Sequence, residues 1–213
     1  MIAENIKHLR EGIAAKCAEF KRNPQEIRLI AVSKFFGVDA IYEANRLGVT
    51  DFGENKAQEL RDKYEILGDK VTWHFIGTLQ RNKVKYAVKA ASFIHSVDSS
   101  MLADEINNHA QKLSKLQKIL LEVKTSFEET KSGLSNYMEV LELVNHCSTL
   151  SNIELVGLMT MAPFTDDENI IRKSFSDLRK LKDEINKNGF DLSELSMGMT
   201  NDLKLQLKKE QQC

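Results

Sequence analysis

The chain has 213 residues, enough for one domain with a full core. Apolar residues make up 42% and charged residues 29%, with 30 basic side chains against 31 acidic ones. That balance excludes a nucleic-acid protein resting on a strong overall positive field, and no apolar run reaches the roughly 20 residues of a membrane span.

The charged N-terminal stretch has no signal-peptide core, so a cytoplasmic protein with no membrane partner is expected. Cys17, Cys147 and Cys213 are odd in number and far apart. They fit neither a disulfide framework nor a zinc cluster.

Ile6, Leu9, Ile13, Ala14, Cys17 and Phe20 recur at helical spacing and predict a helix over 2–22, stopped at Asn23-Pro24. Arg28-Leu-Ile-Ala-Val-Ser-Lys34 reads as a buried strand. Helix 38–47 ends at Gly48, strand 51–55 follows, and helix 56–67 ends at Gly68. Strand 71–77, helix 80–90, strand 93–98 and helix 99–114 continue the alternation. Strand 118–124, helix 135–147, strand 155–161, helix 167–187 and strand 195–199 complete it, before a charged closing helix.

Seven β-then-α units predict a parallel sheet with helices outside it. Right-handed crossovers leave a closed barrel or an open doubly wound sheet. No Gly-x-Gly-x-x-Gly follows the first strand, which speaks against a dinucleotide fold. The regular repeat favours a TIM-type (β/α) barrel, as one domain over 1–213. Such a barrel needs an eighth strand and typically about 250 residues, and only seven strands are legible here.

Function in a barrel sits where its strands end. Lys34 ends the first strand on the face of Ile30 and Val32. An amine with that apolar approach is expected to be partly desolvated and able to form a Schiff base; the alternative is a solvated lysine. Glu54 and Asn55 end the second strand as candidate contacts for a polar ligand, with Asn55 alternatively a helix cap. His74 and His95 each stand inside an apolar strand, as hydrogen-bonded core residues or as ligands. Gln80, Asn82 and Lys83 lie in a polar loop after the third strand. Ser196, Gly198 and Thr200 place two hydroxyls and a glycine at the end of strand seven, where barrels bind phosphate; Thr200 alternatively only caps the next helix. A lysine at strand one and an anion cradle at strand seven suggest a ligand with an aldehyde and a phosphate, as pyridoxal 5'-phosphate has.

The sequence resembles the pyridoxal phosphate homeostasis proteins, from Ile6 to about Asp202. The matching motifs are Ala31-Val-Ser-Lys34, Phe52-Gly-Glu-Asn55, Trp73-His-Phe-Ile-Gly77, Leu79-Gln80 with Asn82-Lys83, His95-Ser96, Lys131-Ser-Gly133, Gly157-Leu-Met159 and Leu195-Ser-Met-Gly-Met199. The resemblance implies a barrel similar to the alanine racemase N-terminal domain. It implies pyridoxal phosphate on Lys34, with Asn55, His74, Met159, Ser196, Gly198 and Thr200 around it. It further implies a monomer or weak homodimer that carries cofactor, with apo forms of pyridoxal phosphate enzymes as partners. Racemases sharing the barrel complete their site with a second domain, so little turnover is expected here. A racemase-like enzyme and a scaffold without cofactor are the alternatives.

The family's usual continuation, a Gly-Ser/Thr turn and a last strand with Val-Arg-Ile-Gly, does not match Asn201–Cys213. A truncated or frame-shifted member is expected, with open edges on strands one and seven. Reduced stability and weakened cofactor affinity would follow.

Overall fold

A computed structural model describes residues 2–125, 133–163 and 165–199. The strands are β1 (Ile30–Val32), β2 (Asp51–Glu54), β3 (Thr72–Phe75), β4 (Phe93–Val97), β5 (Gln117–Glu122), β6 (Ile153–Met159) and β7 (Glu194–Ser196). The helices are α1 (Ile2–Glu19), α2 (Val38–Arg46), α3 (Ala57–Leu67), α4 (Val84–Ala90), α5 (Ser100–Lys112), α6 (Tyr137–Ser148) and α7 (Glu168–Asn186). The sheet runs β1 to β7 in sequence order, and every neighbouring pair is parallel.

Alternation along each strand divides the residues between two faces. Phe52, Trp73, Ile94, Ile119 and Leu158 belong to the large core shared with Leu60, Val88, Ile106, Val144 and Leu178 of the helices. Each such side chain contributes about 1.5–3 kcal/mol when fully buried, so this layer carries most of the fold. Leu120, Val156 and Met159 form a separate small cluster with Phe93 inside the curl.

Two contacts show how far the sheet curls. Arg28, just before β1, places Nη2 3.5 Å from Glu194 Oε1 of β7, so the two edge strands meet at the base. His95 Nδ1 of β4 lies 2.8 Å from Ser196 Oγ of β7, across the interior. The architecture is the expected TIM-like one, with seven parallel strands among the described residues. The closing helix, Thr200 and the Asn201–Cys213 segment lie outside the described residues, as do Lys131 and Ser132. No helix among the described residues is long and apolar enough to cross a membrane.

Candidate functional site

Parallel pairing brings the ends of all seven strands to one rim of the curled sheet. Lys34 follows β1 there and is exposed. Val32, on the same face, is 44% exposed. The expected apolar approach to Lys34 is therefore only partial: Ile30 on this face is half-buried beside Gly53, whereas Val32, nearer the rim of the edge strand β1, is open. Lys34 stands at the rim as a solvated amine.

Its backbone is nonetheless held on both sides. Ser33 Oγ donates to Glu54 Oε1 at 2.6 Å. Lys63 Nζ of α3 donates to the same oxygen at 2.6 Å and to Ser33 O at 2.7 Å. It also donates to Glu59 Oε1 at 2.8 Å, which accepts from Phe35 N at 3.0 Å. Phe35 sits at φ 68°, a left-handed conformation that costs a non-glycine residue about 1–3 kcal/mol. The buried Glu54–Lys63 pair thus clamps the two residues that flank Lys34. Sequence reasoning missed this pair; the Glu59–Lys63 spacing of four is a common surface pattern and gives no sign of burial.

The histidines are buried core residues, and hydrogen bonds join them to each other. His74 Nε2 lies 2.9 Å from Asp51 Oδ1, and His74 Nδ1 lies 2.9 Å from His95 Nε2. With the His95–Ser196 bond, these contacts form an unbroken chain from the base of β2 to the rim of β7. His74 stacks on Phe93 with ring centroids 4.7 Å apart. Burial above all, with the electrostatic influence of the neighbouring His74 and Arg28, pushes the His95 imidazole down to about 3. Burial alone would raise Asp51, but hydrogen bonds from His74 and Thr50 and the Arg28 charge hold it below its ordinary value.

A neutral buried His95 makes stability depend on pH. Between the ordinary histidine value of 6.5 and about 3, the unfolded chain binds a proton that the folded chain refuses. Stability therefore falls as pH drops through this window, by about 1.4 kcal/mol per unit. Urea unfolding is expected to lose about 2 kcal/mol between pH 7 and pH 5. A flat profile would show that His95 titrates normally.

Asn55 is half-buried at the end of β2, and its Oδ1 is a buried acceptor without a hydrogen-bond partner. Gly77 explains how close the neighbouring turn comes: a Cβ there would lie 2.3 Å from Asn55 O. Met159 is buried beneath the rim against Leu120 and Val156. Gly198 follows β7 at φ 83°, a left-handed turn that glycine adopts without strain. Gln80 and Asn82 are exposed and Lys83 is half-buried. No contact joins Lys34 directly to Ser196 in the described residues; the shared rim is what relates them.

The rim therefore offers a free primary amine, a buried acceptor lacking a partner and a hydroxyl beside a tight turn. An aldehyde, a polar ring substituent and a phosphate match these groups in turn.

The family model for the alanine racemase N-terminal domain matches residues 2–210. The pyridoxal phosphate homeostasis protein of Aquifex aeolicus (strain VF5) is 36% identical over 208 residues, 97% of this chain and 91% of that protein. The crystal structure of an unknown protein from Bifidobacterium adolescentis is similar at a TM-score of 0.91 and 34% identity, covering 98% of this chain and 89% of the other. PipY of Synechococcus elongatus PCC7942, solved with pyridoxal phosphate bound, is similar at a TM-score of 0.85 and 33% identity, covering 98% and 94%. The chain thus belongs to the alanine racemase N-terminal domain family, in the group formed by the pyridoxal phosphate homeostasis proteins.

Proposed function

We propose that this chain binds pyridoxal 5'-phosphate through Lys34 and acts in vitamin B6 homeostasis in the cytoplasm, as a carrier with little or no turnover. The observation that carries the reading is the pairing of a clamped, exposed Lys34 with a polar rim, in a chain 33% identical to a relative solved with that cofactor. When bound, the cofactor supplies an aldehyde for covalent attachment to an amine and a phosphate to be anchored.

Lys34 supplies the amine, and the Glu54–Lys63 clamp fixes its backbone. Asn55 Oδ1 offers an acceptor, and Met159 forms part of the apolar floor. Ser196, Gly198 and Thr200 hold the phosphate, with His74 acting on Ser196 through His95. Exposure at the rim favours a carrier. Lys34, Phe35 and Phe36 are open to solvent, and catalysis on this cofactor needs water excluded from the reacting atoms. Apo forms of pyridoxal phosphate enzymes are the matching recipients, and a monomer or weak homodimer leaves the rim open to them.

The test is a visible spectrum of the full chain mixed with pyridoxal phosphate, before and after borohydride reduction, followed by peptide mapping. A bleachable band and a pyridoxyl group on Lys34 are expected, both lost in Lys34→Ala. Label scattered over surface lysines would refute the assignment. Racemisation of free amino acids that depends on Lys34 would make the protein an enzyme instead.

A further inference from the structure

The hydrogen-bond chain from Asp51 to Ser196 has a direction. An ionised carboxylate only accepts, so His74 Nε2 must donate to Asp51 across their 2.9 Å contact. With His74 carrying that one proton, its Nδ1 accepts and His95 donates from Nε2 across their 2.9 Å contact. A neutral His95 accepts at Nδ1, so the Ser196 hydroxyl donates inward. Burial of His74 and His95, 1% and 3% exposed, keeps water from supplying alternative partners. Ser196 thereby turns only lone pairs toward the rim. A phosphate dianion also carries only acceptors and needs a donor at that position.

We propose that Asp51, His74 and His95 are positioning residues for Ser196, and that phosphate docking at Ser196 reverses the chain by adding a single proton to it. The proton enters from solvent at Ser196 Oγ, whose hydroxyl turns outward to the phosphate. The former Ser196 proton passes to His95 Nδ1, and the former His95 Nε2 proton passes to His74 Nδ1. His74 becomes an imidazolium donating to Asp51 and His95 together, and no heavy-atom bond changes. The inference rests on the function proposed above for the ligand and for its phosphate contact at Ser196.

The surroundings explain why the proton waits for the anion. Arg28 lies 3.9 Å from Asp51 and over the Phe93 ring at 5.1 Å. Lys118 lies over the same ring at 5.5 Å. Both cations oppose a charged His74. Asp51 favours it, Glu194 partly neutralises Arg28, and the Phe93 face suits an imidazolium. Asp51 does not take the proton itself, because Thr50 Oγ1 donates to its other oxygen at 2.6 Å. The phosphate charge at Ser196 tips the balance.

Imidazole 15N spectra of the full chain at pH 8 test this directly, with His74 and His95 recognised by the coupling across their shared hydrogen bond. Free protein is expected to show His95 protonated at Nε2 and bare at Nδ1. With pyridoxal phosphate, or with saturating inorganic phosphate, His95 is expected to be protonated at Nδ1 and His74 at both nitrogens. Pyridoxal, which lacks the phosphate, is expected to leave the pattern unchanged. An unchanged His95 Nδ1 with both phosphate probes overturns the proposal, whatever the labelling of Lys34 shows. A reversal caused by pyridoxal alone overturns it equally. Reversal by inorganic phosphate without any label on Lys34 supports the chain and rejects the cofactor.

Discussion

Lys63→Met is expected to destabilise the fold by about 3–5 kcal/mol, the usual effect of leaving a buried charge without its partner. Glu54 is 0% exposed, and the Lys63 ammonium lies 2.6 Å from its Oε1. Methionine keeps the stem of Lys63 but removes every donor. Glu54 would retain only the Ser33 hydroxyl, and its Oε2 already lacks a partner. The urea midpoint measures the loss. Glu54→Leu in the same chain removes the stranded charge and is expected to recover most of it, at a residual of about 1–3 kcal/mol for the unpaired Ser33 hydroxyl. A single variant as stable as the parent would mean that Glu54 finds water or a proton instead.

The same substitution reaches the rim. Lys63 holds Ser33 O directly and Phe35 N through Glu59, so its loss frees both neighbours of Lys34. Phe35 would be free to leave its left-handed conformation. Borohydride labelling at Lys34 should fall, while labelling of surface lysines should not.

The alternation of elements was legible because each strand is a short apolar run and each helix carries its own period. Boundaries were less so. The strand expected at 155–161 is paired over Ile153–Met159. Polar Asn152 and Glu154 disguise its start, where Asn152 O accepts from Gln117 N. Beyond its end Thr160 still donates from its backbone N to Ser196 O, while its hydroxyl donates to Val123 O. The strand expected from Arg28 begins at Ile30, because Arg28 is drawn to Asp51 and Glu194 at the base.

The site was legible residue by residue but not as a network. Lys34, Asn55 and Ser196 follow from the rule that strand ends carry function. His74 and His95 looked like separate histidines, since they stand 21 positions apart. Only the parallel register, with Gly53 beside His74 and His74 beside Phe93, brings their rings together. Asp51 gave no signal at the base of its strand. The exposure of Lys34 also escaped the sequence, because strand alternation fixes the face of a side chain and not what lies opposite.

Gly157→Ala is expected to cost about 3 kcal/mol or more, the upper end for overpacking, because the added carbon meets backbone that has no slack. A Cβ at Gly157 would lie 1.9 Å from Glu194 O and 2.6 Å from Glu194 C. The β6 chain cannot retreat, since it is paired with β5 on its other side through Leu120. The three-residue β7 must move instead, and among the described residues its only ladder is the one to β6. That motion breaks the bond from Thr160 N to Ser196 O and carries Ser196 away from His95. The variant should therefore unfold at lower urea and, while still folded, fail to switch His95 on addition of phosphate. Gly12→Ala is the control: nothing lies within 4 Å of its added carbon, and alanine in a helix is worth about 0.5–1 kcal/mol. Equal stability of Gly157→Ala and the parent would mean that β7 does not pack against β6 as described. Reduced stability with His95 still switching would place the phosphate contact elsewhere than on Ser196.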